Sequence, residues 1–182
     1  FRFPTEAEWE YAARGGKKSN GYKYAGSNVL DNVAWYIDNS AGTTHPVALK
    51  QPNELGLYDM SGNVMEWCQD WYDTYSDTLQ TNPLGAAYGS DKVFRGGCWG
   101  NYARLCRISD RGFIDEYYAH SYLGLRLALD VPTAGTYQYV DLGLSVKWAT
   151  MNVGASIFVM GLIAAGFWGI YYTYRKKRVL LN

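Results

Sequence analysis

The sequence contains few histidines and cysteines, and neither sign of charge is in excess. Of 182 residues, 2 are His and 3 are Cys, and 17 basic residues balance 17 acidic ones. A neutral chain lacks the basic patch that electrostatic nucleic-acid binding needs, so we predict no nucleic-acid partner. Three cysteines without a C-x-x-C pair indicate neither a zinc knuckle nor a disulfide framework. No nucleophile–base pair or carboxylate dyad stands out by its spacing.

Aromatic residues and glycine, in contrast, are abundant. The chain has 17 Tyr, 7 Trp and 20 Gly. Aromatic rings bury a large area while keeping a polar tip, so they serve equally in a core and in a contact surface. The glycines, with few long periodic segments between them, predict a loop-rich fold. The length allows one domain with a real core and an appendage.

Four motifs occur in a fixed order along the chain. Residues 3–16 read FPTEAEWEYAARGG, residues 53–68 read NELGLYDMSGNVMEWC, residues 94–99 read FRGGCW, and residues 123–127 read LGLRL. Together they resemble the formylglycine-generating-enzyme/sulfatase-modifying-factor family, which has a variant of the C-type-lectin fold. The resemblance covers residues 1 to about 129 and implies an α+β, loop-rich domain with short strands and few helices. Relatives have further strands before the first motif, so we expect an N-terminally truncated domain.

Local signals place several elements within this domain. Thr5 and Glu8 have the spacing of a capping box, which predicts a helix beginning after Thr5. Its buried face would hold Trp9, Ala12 and Ala13, and the glycines that follow would end it. Residues 93–95 are typical of a short strand that enters the R-G-G turn. Residues 123–129 are expected to form the last strand of the domain, with Arg126 paired internally.

The segment at residues 53–68 combines glycine turns with carboxylates, and it matches neither helix nor strand periodicity. Hard oxygen ligands in a kinked loop suit calcium, although a polar loop capping a short helix would have a similar composition. The resemblance implies one calcium held by the side chains of Asp59 and Glu66 and the main-chain oxygens of Gly62 and Val64. It also implies a second calcium site that begins at Asn32 and Val33.

The resemblance bears on catalysis through cysteine positions. In the oxidases of this family, two cysteines five residues apart after the R-G-G turn bind copper. The later cysteine corresponds to Cys106, but the earlier one corresponds to Asn101, and Cys98 stands three residues too early. An asparagine amide is a poor substitute for a soft thiolate ligand. We therefore predict no catalytic residue, and Cys106 and copper matter only under an oxidase alternative. Otherwise these thiols are small buried hydrophobes.

Gly100–Tyr122 has the composition of a recognition loop. Tyr, Ser, Gly, Asn and Asp dominate, as in antibody paratopes. In the lectin-like fold this segment would face the ligand, and it resembles the variable region of proteins diversified by retroelements. The alternative is an ordinary loop of a non-catalytic family member. The predicted ligand-binding residues, expected to form one surface, are Trp99, Asn101, Tyr102, Asp110, Phe113, Tyr117, Tyr118, His120 and Tyr122.

The C-terminal residues have a different character. Residues 130–155 are typical of a linker followed by a short β-like segment, which weakly resembles a unit of Bacteroidetes surface proteins. Ser156–Tyr174 contains no charge and would span about 28 Å as a helix, which fits a bilayer core. A basic cluster begins residues 175–182. We predict a transmembrane helix with a cytoplasmic basic tail and the folded domain outside, in the cell envelope. A buried hydrophobic helix is the alternative.

These patterns lead to one main functional hypothesis. The chain is expected to be a non-catalytic, extracellular, lectin-like module that is stabilised by calcium and tethered to a membrane. It would hold a protein or a glycan at Gly100–Tyr122. The alternative is a formylglycine-generating oxidase that activates sulfatases by oxidising a cysteine.

Overall fold

The computed structural model describes residues 1–130, 139–141 and 146–149. Regular structure is sparse in these residues: one α-helix, seven short strands and three 3-10 turns at Gly16–Lys18, Leu30–Asn32 and Ala103–Cys106. Turns and bends make up about half of the rest. The loop-rich α+β architecture with few helices is therefore as predicted.

Helix α1 spans Glu6–Ala13 and begins at the predicted cap. The Thr5 hydroxyl accepts a hydrogen bond from the Glu8 backbone N–H at 3.2 Å, and the Glu8 carboxylate accepts one from the Thr5 N–H at 2.9 Å. These reciprocal bonds satisfy two N–H groups that the first turn would leave unpaired. Trp9, Ala12 and Ala13 are fully buried, so the predicted buried face is confirmed. Gly15 follows the helix with a φ of 88°.

The central sheet has four strands in the order β3-β2-β1-β4. Strand β1 spans Met65–Trp71, β2 spans Asp91–Arg95, β3 spans Arg111–Asp115 and β4 spans Leu123–Gly124. β2 pairs antiparallel with both β1 and β3, whereas β4 runs parallel to β1. β3 therefore lies at one edge of the sheet.

Two sequence-based boundaries differ from the structure. The segment at residues 53–68 does turn at its glycines, but its last four residues already belong to β1, because tertiary pairing with β2 and β4 overrides the weak local pattern. The single strand expected at residues 123–129 is two short strands, β4 and β5. Arg126 lies between them and is paired internally, as predicted.

A second, three-stranded sheet has the order β5-β7-β6. Strand β5 spans Ala128–Asp130, β6 spans Tyr139–Asp141 and β7 spans Val146–Ala149. The β-like segment expected after residue 130 thus contains two strands, and β7 pairs antiparallel with β5 across the predicted boundary. Ala128 also exchanges two backbone hydrogen bonds with Arg2, at 3.0 and 2.9 Å.

The Glu66 carboxylate links three parts of the core. It accepts hydrogen bonds from Arg126 Nη2 at 2.8 Å and Nε at 3.1 Å, and from the Trp9 indole N–H at 2.7 Å. Arg126 also donates to the carbonyl of Tyr58 at 2.7 Å. The side chains of Glu66 and Arg126 are almost completely buried. Helix α1, strand β1 and the chain after β4 are therefore joined through one carboxylate.

A second buried network attaches α1 to strands β2 and β3. Arg95, at the end of β2, is fully buried and pairs with Glu6 and Glu10 of the helix. It also donates to the carbonyl of Ile108 at 2.8 Å. Arg111 on β3 makes two hydrogen bonds to the same Glu6 carboxylate. The helix thus sits against β2 and β3 through paired charges as well as apolar contacts.

Within residues 1–130 and the strand residues beyond them, no helix has the length and apolar character of a membrane span. The predicted helix at Ser156–Tyr174 and the tail at residues 175–182 lie outside the described residues.

The buried pair generates a prediction about stability. Replacing Arg126 with Met leaves the Glu66 charge buried with only the Trp9 N–H, so the free energy of unfolding should fall by about 3–5 kcal/mol. Urea unfolding measures this loss. The control is Arg14→Met, because the Arg14–Glu10 pair is partly exposed and should contribute no more than about 1 kcal/mol. Equal losses in both variants would contradict the central role of Glu66.

Candidate functional site

The R-G-G turn brings the segment after β2 close to the 3-10 turn at Ala103–Cys106. Gly96 and Gly97 have φ values of 95° and 69°, a region that L side chains rarely adopt. A Cβ atom at Gly97 would lie 2.6 Å from the carbonyl oxygen of Leu105 and 2.9 Å from the Cys106 sulfur. Glycine is therefore required here both by backbone conformation and by close packing.

Asn101 has a structural role at the position that the resemblance assigns to a copper thiolate. Its side-chain oxygen accepts a hydrogen bond from the Cys98 N–H at 3.0 Å. Its own N–H donates to the Cys98 carbonyl at 3.0 Å, and its carbonyl accepts from the Ile37 N–H at 3.1 Å. The side-chain amide thus closes the turn after Cys98, and the main-chain carbonyl connects this turn to residue 37.

The cysteines of this region are buried free thiols. Cys98 is 2% exposed and Cys106 is fully buried, as expected for small hydrophobes. Burial raises the pKa of Cys98, and burial followed by the neighbouring Cys98 raises the pKa of Cys106 to about 12. Burial therefore favours the thiol over the thiolate form of both side chains.

A small pocket of about 140 Å³ opens beside the turn. Three glycines, Asn101 and the charged side chains Asp110 and Arg111 are among its lining residues. Burial raises the pKa of Asp110, while the charges of Arg95, Arg104 and Arg107 act in the opposite direction. The volume suits a few waters or one small chemical group rather than a drug-sized ligand.

None of the nine residues predicted to bind ligand is buried. Tyr102, Phe113, Tyr117 and Tyr118 have 64%, 50%, 74% and 37% of their surface exposed. His120 is also exposed, and the other four are half-buried: Trp99, Asn101, Asp110 and Tyr122. Their action as one binding surface stays a prediction.

Three of these residues form a ring cluster. The rings of His120 and Tyr122 stack with centroids 3.8 Å apart, and the Tyr118 ring lies 6.1 Å from that of His120. The hydroxyls of Tyr118 and Tyr122 are hydrogen-bonded at 2.9 Å. This bond, followed by burial, raises the pKa of Tyr122 to about 12. The cluster is therefore a preorganised aromatic face rather than three independent side chains.

Sequence reasoning missed the support beneath Phe113. Its ring stacks on Tyr72 at 3.9 Å, and the Arg111 guanidinium lies over the rings of Tyr72 and Tyr75 at 4.6 and 4.2 Å. Arg111 is fixed at the same time by Glu6. The aromatic residues at 71–75 were the only available signal, and they gave no indication of a partner forty residues later.

The predicted calcium ligands lie close to the buried core pair. Asp59 is 2% exposed, has a φ of 57° and accepts a hydrogen bond from the Ala48 N–H at 2.8 Å. Burial raises its pKa, with the Ala48 bond and the Arg126 charge opposing the rise. Burial thus disfavours the charged form of this carboxylate, and a bound cation would stabilise that form. Gly62 and Val64 are buried in the same loop.

Glu66 and the second predicted site have other structural roles. Both Glu66 oxygens already accept hydrogen bonds from Arg126 and Trp9. Asn32 is exposed and accepts the Gln51 N–H through its carbonyl, whereas Val33 is buried. In the part of the chain that the structure describes, no three His, Cys, Asp or Glu side chains are close enough to hold a metal. A calcium at the second predicted site would therefore need main-chain oxygens and water as ligands. A calcium at the loop that contains Asp59 would need them as well.

The chain is similar in sequence to proteins that carry several different names. Residues 1–131 match the model of the sulfatase-modifying factor enzyme 1-like domain. The chaperone protein LppX of Paenibacillus barcinonensis is 38% identical over 70% of this chain and 48% of its own length. The formylglycine-generating enzyme of Streptomyces coelicolor is 35% identical over 71% of this chain and 46% of its own. The chain thus spans about half the length of these relatives.

Solved structures agree with the sequence match. Treponema denticola variable protein 1 is 44% identical with a TM-score of 0.63, over 68% of this chain and 45% of that one. CarF is 35% identical with a TM-score of 0.52, over 68% of this chain and 44% of its own. The domain match, these identities and the shared fold together show that the chain belongs to the formylglycine-generating-enzyme/sulfatase-modifying-factor family.

Proposed function

We propose that residues 1–129 act as a non-catalytic ligand-binding module that holds a protein or glycan at Gly100–Tyr122. The observation that carries the proposal is the set of four large, exposed aromatic side chains in this segment. Rigid aromatic rings give contact area at a low entropic cost, and truncating such anchors often costs about 2 kcal/mol or more. One similar structure is named a variable protein, which supports the version in which this loop is diversified.

The arrangement around the R-G-G turn favours binding over oxidase chemistry. Asn101 closes a turn where an oxidase would have a copper thiolate. Cys98 and Cys106 are buried free thiols, as small hydrophobic side chains would be. A formylglycine-generating oxidase remains the second candidate because enzymes with that name are among the relatives.

Calcium and membrane attachment belong to the same proposal. One calcium would be bound by Asp59 with the carbonyl oxygens of Gly62 and Val64, and its role would be to stabilise the loop. The raised pKa of buried Asp59 supports a cation there. The uncharged run Ser156–Tyr174 would anchor the chain in a membrane, with the folded domain outside the cell.

One prediction of this proposal concerns the exposed aromatic residues. Replacing Tyr102, Tyr117 and Tyr118 with Ala should abolish binding to any positive member of a glycan or protein array, because the anchors are lost. The melting temperature should change little, since these rings are exposed. Tyr88→Ala is the control, because Tyr88 is 86% exposed in a different loop. Unfolding of the triple variant, or unchanged binding, would contradict the proposal.

The calcium prediction uses chelation. Saturating calcium should raise the melting temperature relative to chelator, since a ligand at a hundred times its Kd stabilises the folded state by about 2.7 kcal/mol. Asp59→Asn should abolish this difference. Asp70→Asn is a matched control, because Asp70 is also buried, accepts the Glu6 N–H at 2.8 Å and has a raised pKa. Identical melting of the unaltered protein with and without chelator would refute the site.

The oxidase alternative has a direct assay. The purified protein, given copper, oxygen, reductant and a sulfatase peptide containing cysteine, should leave that cysteine unmodified by mass spectrometry. The Streptomyces coelicolor enzyme serves as the positive control. Turnover above a metal-free blank would favour the oxidase over the binding module.

A further inference from the structure

Strand β3 presents an open, regular edge. All five of its residues are in continuous register with β2, from Asp91↔Asp115 to Arg95↔Arg111, and the strand contains no Lys, Pro or bulge. Among the described residues, no strand pairs with its outer side. The edge strands of natural sheets are usually protected by a lysine, a proline or a bulge, because their unpaired backbone groups can pair with another strand.

The middle of this edge also carries an apolar contact point. Phe113 is half exposed although its ring stacks on Tyr72. The alternation of side chains places Phe113 on the same face as Arg111 and Asp115. The Arg111 charge is balanced by Glu6, so it does not oppose a basic partner.

The end of β3 carries negative charge, although the chain as a whole has no net charge. Asp115 lies directly opposite Asp91, and Glu116 follows. Like charges opposite each other in a sheet are destabilising, so a cation would relieve the pair. Lys92 is the nearby base: its charge interacts with that of Glu116, and its ammonium donates to the Gln69 carbonyl at 2.9 Å and lies 3.6 Å over the Trp71 ring.

A fixed turn adds aromatic rings to this acidic end. The Tyr117 N–H donates to the Asp115 carboxylate at 2.8 Å, and the Tyr118 N–H donates to the Asp115 carbonyl at 3.0 Å. The two tyrosine side chains are exposed. Tyrosine faces attract ammonium and guanidinium groups.

We propose that an extended, basic segment of a partner protein adds to the outer edge of β3 as a new strand. Its backbone would pair with β3, an apolar side chain would contact Phe113, and a lysine or arginine would reach Asp115, Glu116 and the adjacent tyrosines. This inference rests on the proposed function, since it uses part of the same surface, and it specifies a protein segment rather than a glycan.

The test uses short synthetic peptides and the full chain. A peptide alternating lysine and valine should bind in isothermal titration, whereas its glutamate–valine twin should not. Two further lysine–valine peptides carry N-methyl groups on alternate amides, one on each edge. Because an added strand pairs through only one edge, one methylated peptide should lose binding and the other should keep it. Those amides of residues 111–115 that point away from β2 should gain protection from hydrogen exchange.

Variants of the acidic end complete the test. Asp115→Asn/Glu116→Gln should weaken lysine-peptide binding about tenfold, the combined effect of two surface ion pairs and one cation–π contact. The control is Asp38→Asn/Asp77→Asn, which removes the same charge from exposed positions elsewhere.

The outcomes separate this inference from the proposed function. Equal effects of both methylation patterns, retained affinity in the acidic variant, or no peptide binding would overturn strand addition. So would a dimer of the chain that pairs through β3. If an array ligand still depends on Tyr102, Tyr117 and Tyr118, the binding module stands without strand addition. If no array ligand is found either, both proposals fail.

Discussion

The fold depends on the pairing of one buried carboxylate, that of Glu66. A charge removed from water is tolerated only when its partners are fixed in geometry. Glu66 obtains them from Trp9, 57 residues earlier, and from Arg126, 60 residues later. Three distant segments must therefore be in position together. A second arginine, Arg95, imposes the same condition on α1 and β2.

This constraint explains which parts of the fold could be predicted from sequence. The capping box of Thr5 and Glu8 is a local signal, since its atoms lie within one turn of chain, and the structure reproduces it. The start of β1 is not local: Met65 is a strand residue because it pairs with Leu123. No pattern around Met65 contains that information. The division between β4 and β5 likewise follows from where Arg126 must reach.

The candidate site divides in the same way. Composition and the family motifs were sufficient to select Gly100–Tyr122 and to notice Asn101 in place of a cysteine. They could not show that the Asn101 amide closes a turn, because its partners depend on the path of the backbone. They also could not show that Arg111 bridges Glu6 and two tyrosine rings, since those groups come from three segments. The proposal of calcium at Asp59 likewise came from the motif, which could not show the environment of that carboxylate, because Ala48 and Arg126 come from other segments.

The second sheet has a mechanical consequence. Ala128 is bonded to Arg2 on one side and paired with Trp148 of β7 on the other. A pulling force that enters from the C-terminal side therefore reaches β7 first, passes to β5 through their pairing, and is shared there with the opening residues of the chain. Strand β3 and the turn at residues 115–118 do not belong to this route of force transmission. Tension on the chain would thus strain the pairing around Ala128 before it deformed the exposed aromatic residues of the segment at 100–122.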